Sequence, residues 1–334
     1  MKTQKLILLF LFAVLLTTCK KEELTIKPGD PDCLTYPEVS VGGVGIGFKG
    51  YQIYTNYTQY LNPVFNPLNE DEFIYTRVYR DIEYTLMKHN LVTGKSELLA
   101  ENVRTDELVA FTQDGRIVYL RDKNHLGIMN SDGSDKQIFL QIGRSISSFA
   151  IDHQLNRIIM SDVHTGAPLI TVMHQLDGGR SDTFLYDLDS LKDRIMFNKG
   201  DWSQKDSLAT LFIGSDHFGV ALVDFGKNSL LPVFKVLHSD NDRVHNVKWH
   251  PDNQTVFFAN KRDGIYRYKD GELKLVKTHC DNRFYSNLSI SPSGKKMLVA
   301  RVNLIKVSDT RLHSDPCIAI MNIDGSEEVV IDLE

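Results

Sequence analysis

Apolar and polar residues alternate in short runs along most of this chain, and the runs break at turns that contain glycine. One such segment occurs twice: Ile128-Met129-Asn130-Ser131-Asp132-Gly133-Ser134 returns as Ile320-Met321-Asn322-Ile323-Asp324-Gly325-Ser326. Each copy closes one alternating run and opens another, Gln137-Ile138-Phe139-Leu140 after the first and Val329-Val330-Ile331 after the second. An Asp-Gly pair between two such runs predicts a β-hairpin, because the tight turn needs positive φ angles that glycine adopts without steric cost.

Weaker copies follow once this pattern is known. Glycine turns fall at Gly94, Gly133, Gly178, Gly226, Gly271 and Gly325, a period of roughly 40 to 50 residues. A second turn precedes each, near Asn69, Asp114-Gly115, Leu155-Asn156, Lys192-Asp193, Asp252-Asn253 and Ser293-Gly294. An apolar strand follows every one of these, such as Ile117-Val118-Tyr119, Ile195-Met196-Phe197 and Val256-Phe257-Phe258. Each unit therefore reads as four antiparallel strands, A to D, with short A–B and C–D turns. A lone four-stranded sheet cannot bury both faces, whereas sheets set radially pack on their neighbours and keep exposed edges short. The expected fold is all-β, a six-bladed β-propeller of four-stranded antiparallel blades over residues 61–334.

The segments Asn66-Pro67-Leu68-Asn69, His250-Pro251-Asp252-Asn253 and Ser291-Pro292-Ser293-Gly294-Lys295-Lys296 resemble the Ser-Pro-Asp-Gly-Lys element of TolB-like, or WD40-like, propeller repeats. The Met-Asn-x-Asp-Gly-Ser segments are similar to the second half of that repeat, and the likeness runs from about residue 60 to the end. Turns at Thr112-Gln113-Asp114-Gly115, His153-Gln154-Leu155-Asn156 and Ser190-Leu191-Lys192-Asp193 lack the proline. The resemblance implies a ring used mainly for binding proteins or peptides. A fold of this kind hosts many functions and settles none.

The N-terminus adds a compartment. Lys2 and Lys5 precede an apolar run, Leu6 to Leu16, too short to anchor in a bilayer and suited to a signal peptide over residues 1–18. Leu16-Thr17-Thr18-Cys19 resembles the lipobox of bacterial lipoproteins, with Thr18 where Gly, Ala or Ser is usual, so Cys19 is the expected lipidation site. Lys20-Lys21-Glu22-Glu23 is similar to a signal for display on the outer face of the outer membrane, which is favoured over the periplasmic face. Residues 19–37, with Pro28, Gly29, Pro31 and Pro37, read as a tether, and residues 38–60, rich in Gly and Tyr, as a collar or an extra strand.

The 334 residues are 42% hydrophobic, enough for a real core, and the net charge of −5 offers no basic footprint for nucleic acid. Besides Cys19, the cysteines are Cys33, Cys280 and Cys317, an odd number with no zinc-ligand spacing. Cys280 and Cys317 are expected on the same face of the last blade, and their pairing is preferred to a bridge from Cys33 to either.

In such a ring the D–A connectors and B–C loops share the face opposite the short turns, and loops on a rigid scaffold commonly carry binding. Counting back from each A–B turn finds Arg104, Arg144, Arg180, Arg243 and Arg283, one for each blade after the first. Five guanidinium groups around a channel mouth could clamp carboxylates or phosphates. Asp106, Asp182, Asp242 and Asp281 lie beside four of them and could instead pin each loop as a salt bridge. Trp202 and Arg311 fall in stretches expected to be long B–C loops of blades four and six. His238, His245, His250, His279 and His313 cluster around blades five and six without recognised ligand spacing; a resemblance to oligogalacturonate-lyase-like propellers, which hold a metal with channel histidines, would imply as the alternative an enzyme acting on acidic saccharides. A Gly-x-Ser-x-Gly elbow, a His-Glu-x-x-His helix and a Walker loop are absent from the sequence. The expected function is thus a non-catalytic binding module of an outer-membrane lipoprotein, with no cofactor or metal. Its partner is a protein, a peptide or an acidic glycan, and its only membrane contact is the lipid.

Overall fold

The computed structural model describes residues 52–103, 109–122, 125–141, 146–152, 157–162, 170–175, 181–184, 187–188, 193–194, 196–203, 207–213, 218–224, 233–240, 244–260, 263–280, 282–308 and 311–333. All regular structure among them is β. A short strand β1 (Gln52–Thr55) precedes blade one, which is β2 (Thr58–Asn66), β3 (Asn69–Tyr79), β4 (Glu83–Asn90) and β5 (Lys95–Glu101). Blade two is β6 (Val109–Phe111), β7 (Ile117–Asp122), β8 (His125–Met129) and β9 (Gln137–Gln141). Blade three is β10 (Ile146–Ile151), β11 (Arg157–Asp162), β12 (Ile170–Gln175) and β13 (Ser181–Phe184). A two-stranded ribbon, β14 (Asp187–Leu188) with β15 (Asp193–Arg194), leads into blade four, β16 (Met196–Trp202), β17 (Ser207–Ile213), β18 (Phe218–Asp224) and β19 (Val233–Asp240). Blade five is β20 (Val244–Trp249), β21 (Val256–Asn260), β22 (Gly264–Lys269) and β23 (Glu272–Thr278). The last sheet is β24 (Arg283–Ile290), β25 (Lys296–Ser308), β26 (Arg311–Asn322) and β27 (Val329–Val330), joined by β1.

The chain forms a β-propeller, with its strands in order within each antiparallel sheet. Four-stranded antiparallel blades are present as expected, five of them among the described residues against the six expected. Five sheets have four strands, while the last has five, because β26 is long enough to pair with two partners on its outer edge. Its first half takes β1 in parallel, Ile53 opposite Leu312, and its second half takes β27, with Ile320 opposite Val329. The first described strand thus joins the last blade to the first.

Burial explains why the strands read differently. Second strands are covered on both faces by neighbouring blades, so Phe73–Thr76, Ile117–Leu120 and Val256–Asn260 are buried throughout. Fourth strands lie at the rim, where β23 is mostly exposed and polar. The cores are the seams. Ile74, Leu86 and Leu99 of blade one meet Ile117, Tyr119 and Met129 of blade two. Phe257 and Ile265 of blade five meet Leu288, Met297 and Met321 of the last sheet. Phe65, Phe73 and Tyr75 meet Leu298 and Ile318, which closes the ring.

The two identical turns are built alike. Asp132 Oδ1 accepts from Ser134 N at 2.9 Å and from Ser134 Oγ at 2.6 Å, and Asp324 binds Ser326 at 3.0 and 2.6 Å. Gly325 has φ +85°, and a Cβ there would stand 2.6 Å from the Val276 carbonyl oxygen of blade five. Asp-Gly is therefore required both by the turn and by the close approach to the preceding blade.

Two borders differ from expectation. Asp193 lies in the ribbon strand β15 and not in the A–B turn of blade four, which comes after Trp202, where Ser203 N donates to Ser207 O at 2.8 Å. The stretch around Arg311 is no loop. The alternation of Val302, Leu304 and Lys306 against Leu312 and Ser314 extends β25 and β26 into one long hairpin, with Leu304 and Leu312 buried.

Candidate functional site

The six innermost strands, β2, β6, β10, β16, β20 and β24, enclose a cavity of about 430 Å³. Pro67, Gln113, Ser203, Pro251 and Pro292 of the A–B turns also line it, so it lies at the A–B-turn end of the channel. This is the opposite end of β24 from Arg283. Five of the inner strands break register with their neighbour, at Leu61/Val64, Ile146/Ser148, Phe197/Gly200, Val244/Asn246 and Tyr285/Leu288. Such bulges turn a strand locally and re-aim its side chains.

The bulges bring three carboxamides to the cavity wall: Asn62, which has φ +54°, Asn246 and Asn287. Asn287 Nδ2 donates to Asn62 Oδ1 across the seam that closes the ring. Asn62 is 5% exposed and its Nδ2 has no hydrogen-bond partner, and the same holds for the buried Asn246 Oδ1 and Trp249 Nε1. A buried polar atom left unpaired costs about 1–3 kcal/mol. On the same wall Asp201 receives Lys248 Nζ at 3.1 Å and the Trp249 backbone N–H at 2.8 Å. That pair leaves this part of the lining without net charge.

The residues expected to bind ligand divide. Arg104, Arg144, Arg180 and Arg243 lie outside the described residues. Arg283 opens β24 at the end away from the cavity and is 4% exposed, with Nη2 3.5 Å from Cys280 Sγ and its guanidinium 6.0 Å from the Tyr285 ring. Arg311 is exposed at the start of β26, opposite Gln52 of β1. Trp202 ends an inner strand instead of riding a loop. It is buried in the cavity wall, with the Arg157 guanidinium 4.7 Å over its ring.

The cysteine expectation is overturned. Cys317 is a free thiol, while Cys280 is disulfide-bonded to a partner outside the described residues. Cys317 is paired with Arg301 deep in the last sheet, where Asn303 Nδ2 approaches its sulfur at 3.5 Å, and burial pushes the thiol up to about 11. Two of the clustered histidines have structural duties. His279 is buried, with Nε2 2.8 Å from Asn260 O and Nδ1 accepting from Tyr285 N at 3.2 Å. His250 spans two A–B turns, with Nε2 3.0 Å from Gly294 O and Nδ1 accepting from Asp252 N at 3.2 Å. Among the described residues no three His, Cys, Asp or Glu are grouped to hold a metal.

The asparagines were not singled out from the sequence, though a signal existed. Asn is depleted inside strands, so Leu61-Asn62-Pro63-Val64 and Ser286-Asn287-Leu288 mark interruptions within otherwise β-prone runs.

No protein-family model matches the sequence, and no curated protein matches it. Solved structures do. A protein assigned as TolB from Agrobacterium tumefaciens aligns with a TM-score of 0.53 at 17% identity, covering 73% of this chain and 86% of that one. An oligogalacturonate lyase from Vibrio parahaemolyticus aligns at 0.51 and 10% identity, covering 82% and 78%. A chain of a nidogen/laminin complex aligns at 0.52 and 11%, covering 81% and 91%. Identities this low establish the propeller fold and leave its use open.

Proposed function

We propose that this chain is a non-catalytic binding module that receives part of a protein partner in the cavity at the A–B-turn end of its propeller. The observation that carries the reading is the cavity itself, bounded by the six inner strands and lined by the carboxamides of Asn62, Asn246 and Asn287 and by Trp249. Asn62 Nδ2, Asn246 Oδ1 and Trp249 Nε1 are buried without partners, so a small shift of these side chains towards a ligand would gain hydrogen bonds at no loss of existing ones. A protein partner is in keeping with the likeness to TolB and to a chain of a nidogen/laminin complex. The acidic-glycan reading depends on Arg104, Arg144, Arg180 and Arg243, and the enzyme reading on a lyase likeness in which His250 and His279 are here committed to backbone groups. The lipobox-like Leu16-Thr17-Thr18-Cys19 and the following Lys20-Lys21-Glu22-Glu23 support our reading of an outer-membrane anchor through lipid on Cys19, displayed at the cell surface.

The test compares the purified full chain with Asn246→Phe, which fills the cavity and removes the unpaired acceptor. Binding of envelope proteins is measured quantitatively beside thermal melting and beside turnover of an acidic oligosaccharide. The reading predicts a ligand held by the parent, lost in the variant at unchanged melting temperature, and no turnover. Equal binding by both, or turnover by the parent, sinks it.

A further inference from the structure

A second cleft, of about 240 Å³, lies where blade five meets the last sheet, with His250 forming a wall common to it and the central cavity. One face of blade five presents Arg267, Lys269 and Lys274 to it. Arg267 stands in register with Phe257 on one side and with Lys274 on the other, so guanidinium and ammonium occupy directly opposed positions on β22 and β23. Like charges so placed are destabilising unless something negative lies between them.

None of the acids nearby reaches Arg267, and Asp324 acts only on Lys274 across the cleft. Asp252 holds Lys269 at 3.2 Å and accepts from the Gln254 and Thr255 backbone N–H groups, each at 2.9 Å, and from Thr255 Oγ1 at 2.8 Å. Asp324 closes its own turn on Ser326. Arg267 forms no ion pair among the described residues, and its Nε is buried without a partner. A guanidinium half-removed from water with its fork unfilled is matched in geometry by a carboxylate or a phosphoryl group.

We infer that this cleft is an oxyanion-binding site in which Arg267 clamps the anion and Lys274 neutralises it from the opposed strand. Asp252 and Asp324 limit the site to one small anionic group, because a larger negative charge would face them across the cleft. The group recognised is a carboxylate or a phosphoryl group on a ligand approaching the A–B-turn face. The site does not depend on the central cavity being occupied.

The test is calorimetric titration of the full chain with inorganic phosphate and, separately, with acetate at constant ionic strength. The inference predicts saturable binding of one equivalent, lost in Arg267→Gln and weakened ~10-fold in Lys274→Gln, the loss of one charge-assisted bond. A response to phosphate alone marks a phosphoryl ligand, and competition by acetate marks a carboxylate; either supports the site. Absence of saturable binding to the parent overturns it, as does binding unchanged in a folded Arg267→Gln. Should Arg267→Gln fail to fold, the exposed Lys274→Gln decides alone, and undiminished binding there counts against the site.

Discussion

Glu328 shows how single side chains join blades. Its carboxylate lies in the seam between blade five and the last sheet and receives Lys277 at 2.9 Å, Arg301 at 2.6 Å and the Tyr285 hydroxyl at 2.7 Å. Burial alone would raise its pKa, but the donors from Lys277 and Tyr285 and the charges of Lys277 and Arg301 bring it below the ordinary 4.5. A depressed folded-state pKa contributes stability that is complete above the unfolded value and is lost as pH falls through the folded one. Glu328→Gln leaves two cations without their acid, so it is expected to cost about 3–5 kcal/mol at pH 7. Denaturant titrations of both proteins between pH 7 and pH 3 should show the gap narrowing below the ordinary glutamate value. A gap that stays constant over that range would mean the carboxylate charge does not hold the seam.

At the scale of the element, stability resides where sheets meet. Phe257 is 1% exposed in the seam with Leu288, Met297 and Met321, whereas Leu275 on the rim strand is 38% exposed. Phe257→Ala is expected to lose about 3–5 kcal/mol in denaturant unfolding, and Leu275→Ala about 0.5 kcal/mol. Comparable losses would show that the blades do not rely on this seam. The same logic explains what the sequence made legible. Turns of blades one, two and five and of the last sheet are legible because Asp-Gly and Pro-containing turns carry their own local geometry, and Thr112 even forms the A–B turn without proline, donating its N–H to Arg116 O at 2.9 Å, while the turns expected in blade three lie outside the described residues. In blade four, Lys192-Asp193 followed by Ile195-Met196-Phe197 imitates a turn and second strand in sequence, while the stretch between Trp202 and Ser207 contains neither Gly nor Pro. The long hairpin of the last sheet is hidden in the sequence because Asn303, Lys306 and Ser308 interrupt the apolar run and residues 305–308 are exposed.

Across the whole molecule, a cavity exists only because six distant segments converge, and no local pattern reports that. Asn62 and Asn287 touch across 225 residues of chain. Nothing adjacent to either in sequence foretells the contact, whereas the arginines share a spacing that is visible in the sequence. The converse holds for the tryptophans. Trp202, expected on a B–C loop of blade four, is carried by the fold to the end of an inner strand on the cavity wall.

The chain has two tryptophans, Trp202 and Trp249, and both line the cavity, so its intrinsic fluorescence reports from the proposed site alone. The most direct measurement is tryptophan emission of the full chain while the captured envelope partner is titrated in, with Trp249→Phe as the control. Occupation of the cavity predicts a saturable change in emission whose midpoint equals the binding constant and whose amplitude falls in the control. A partner that binds with the emission of both tryptophans unchanged would place its contact elsewhere on the propeller and contradict the central claim.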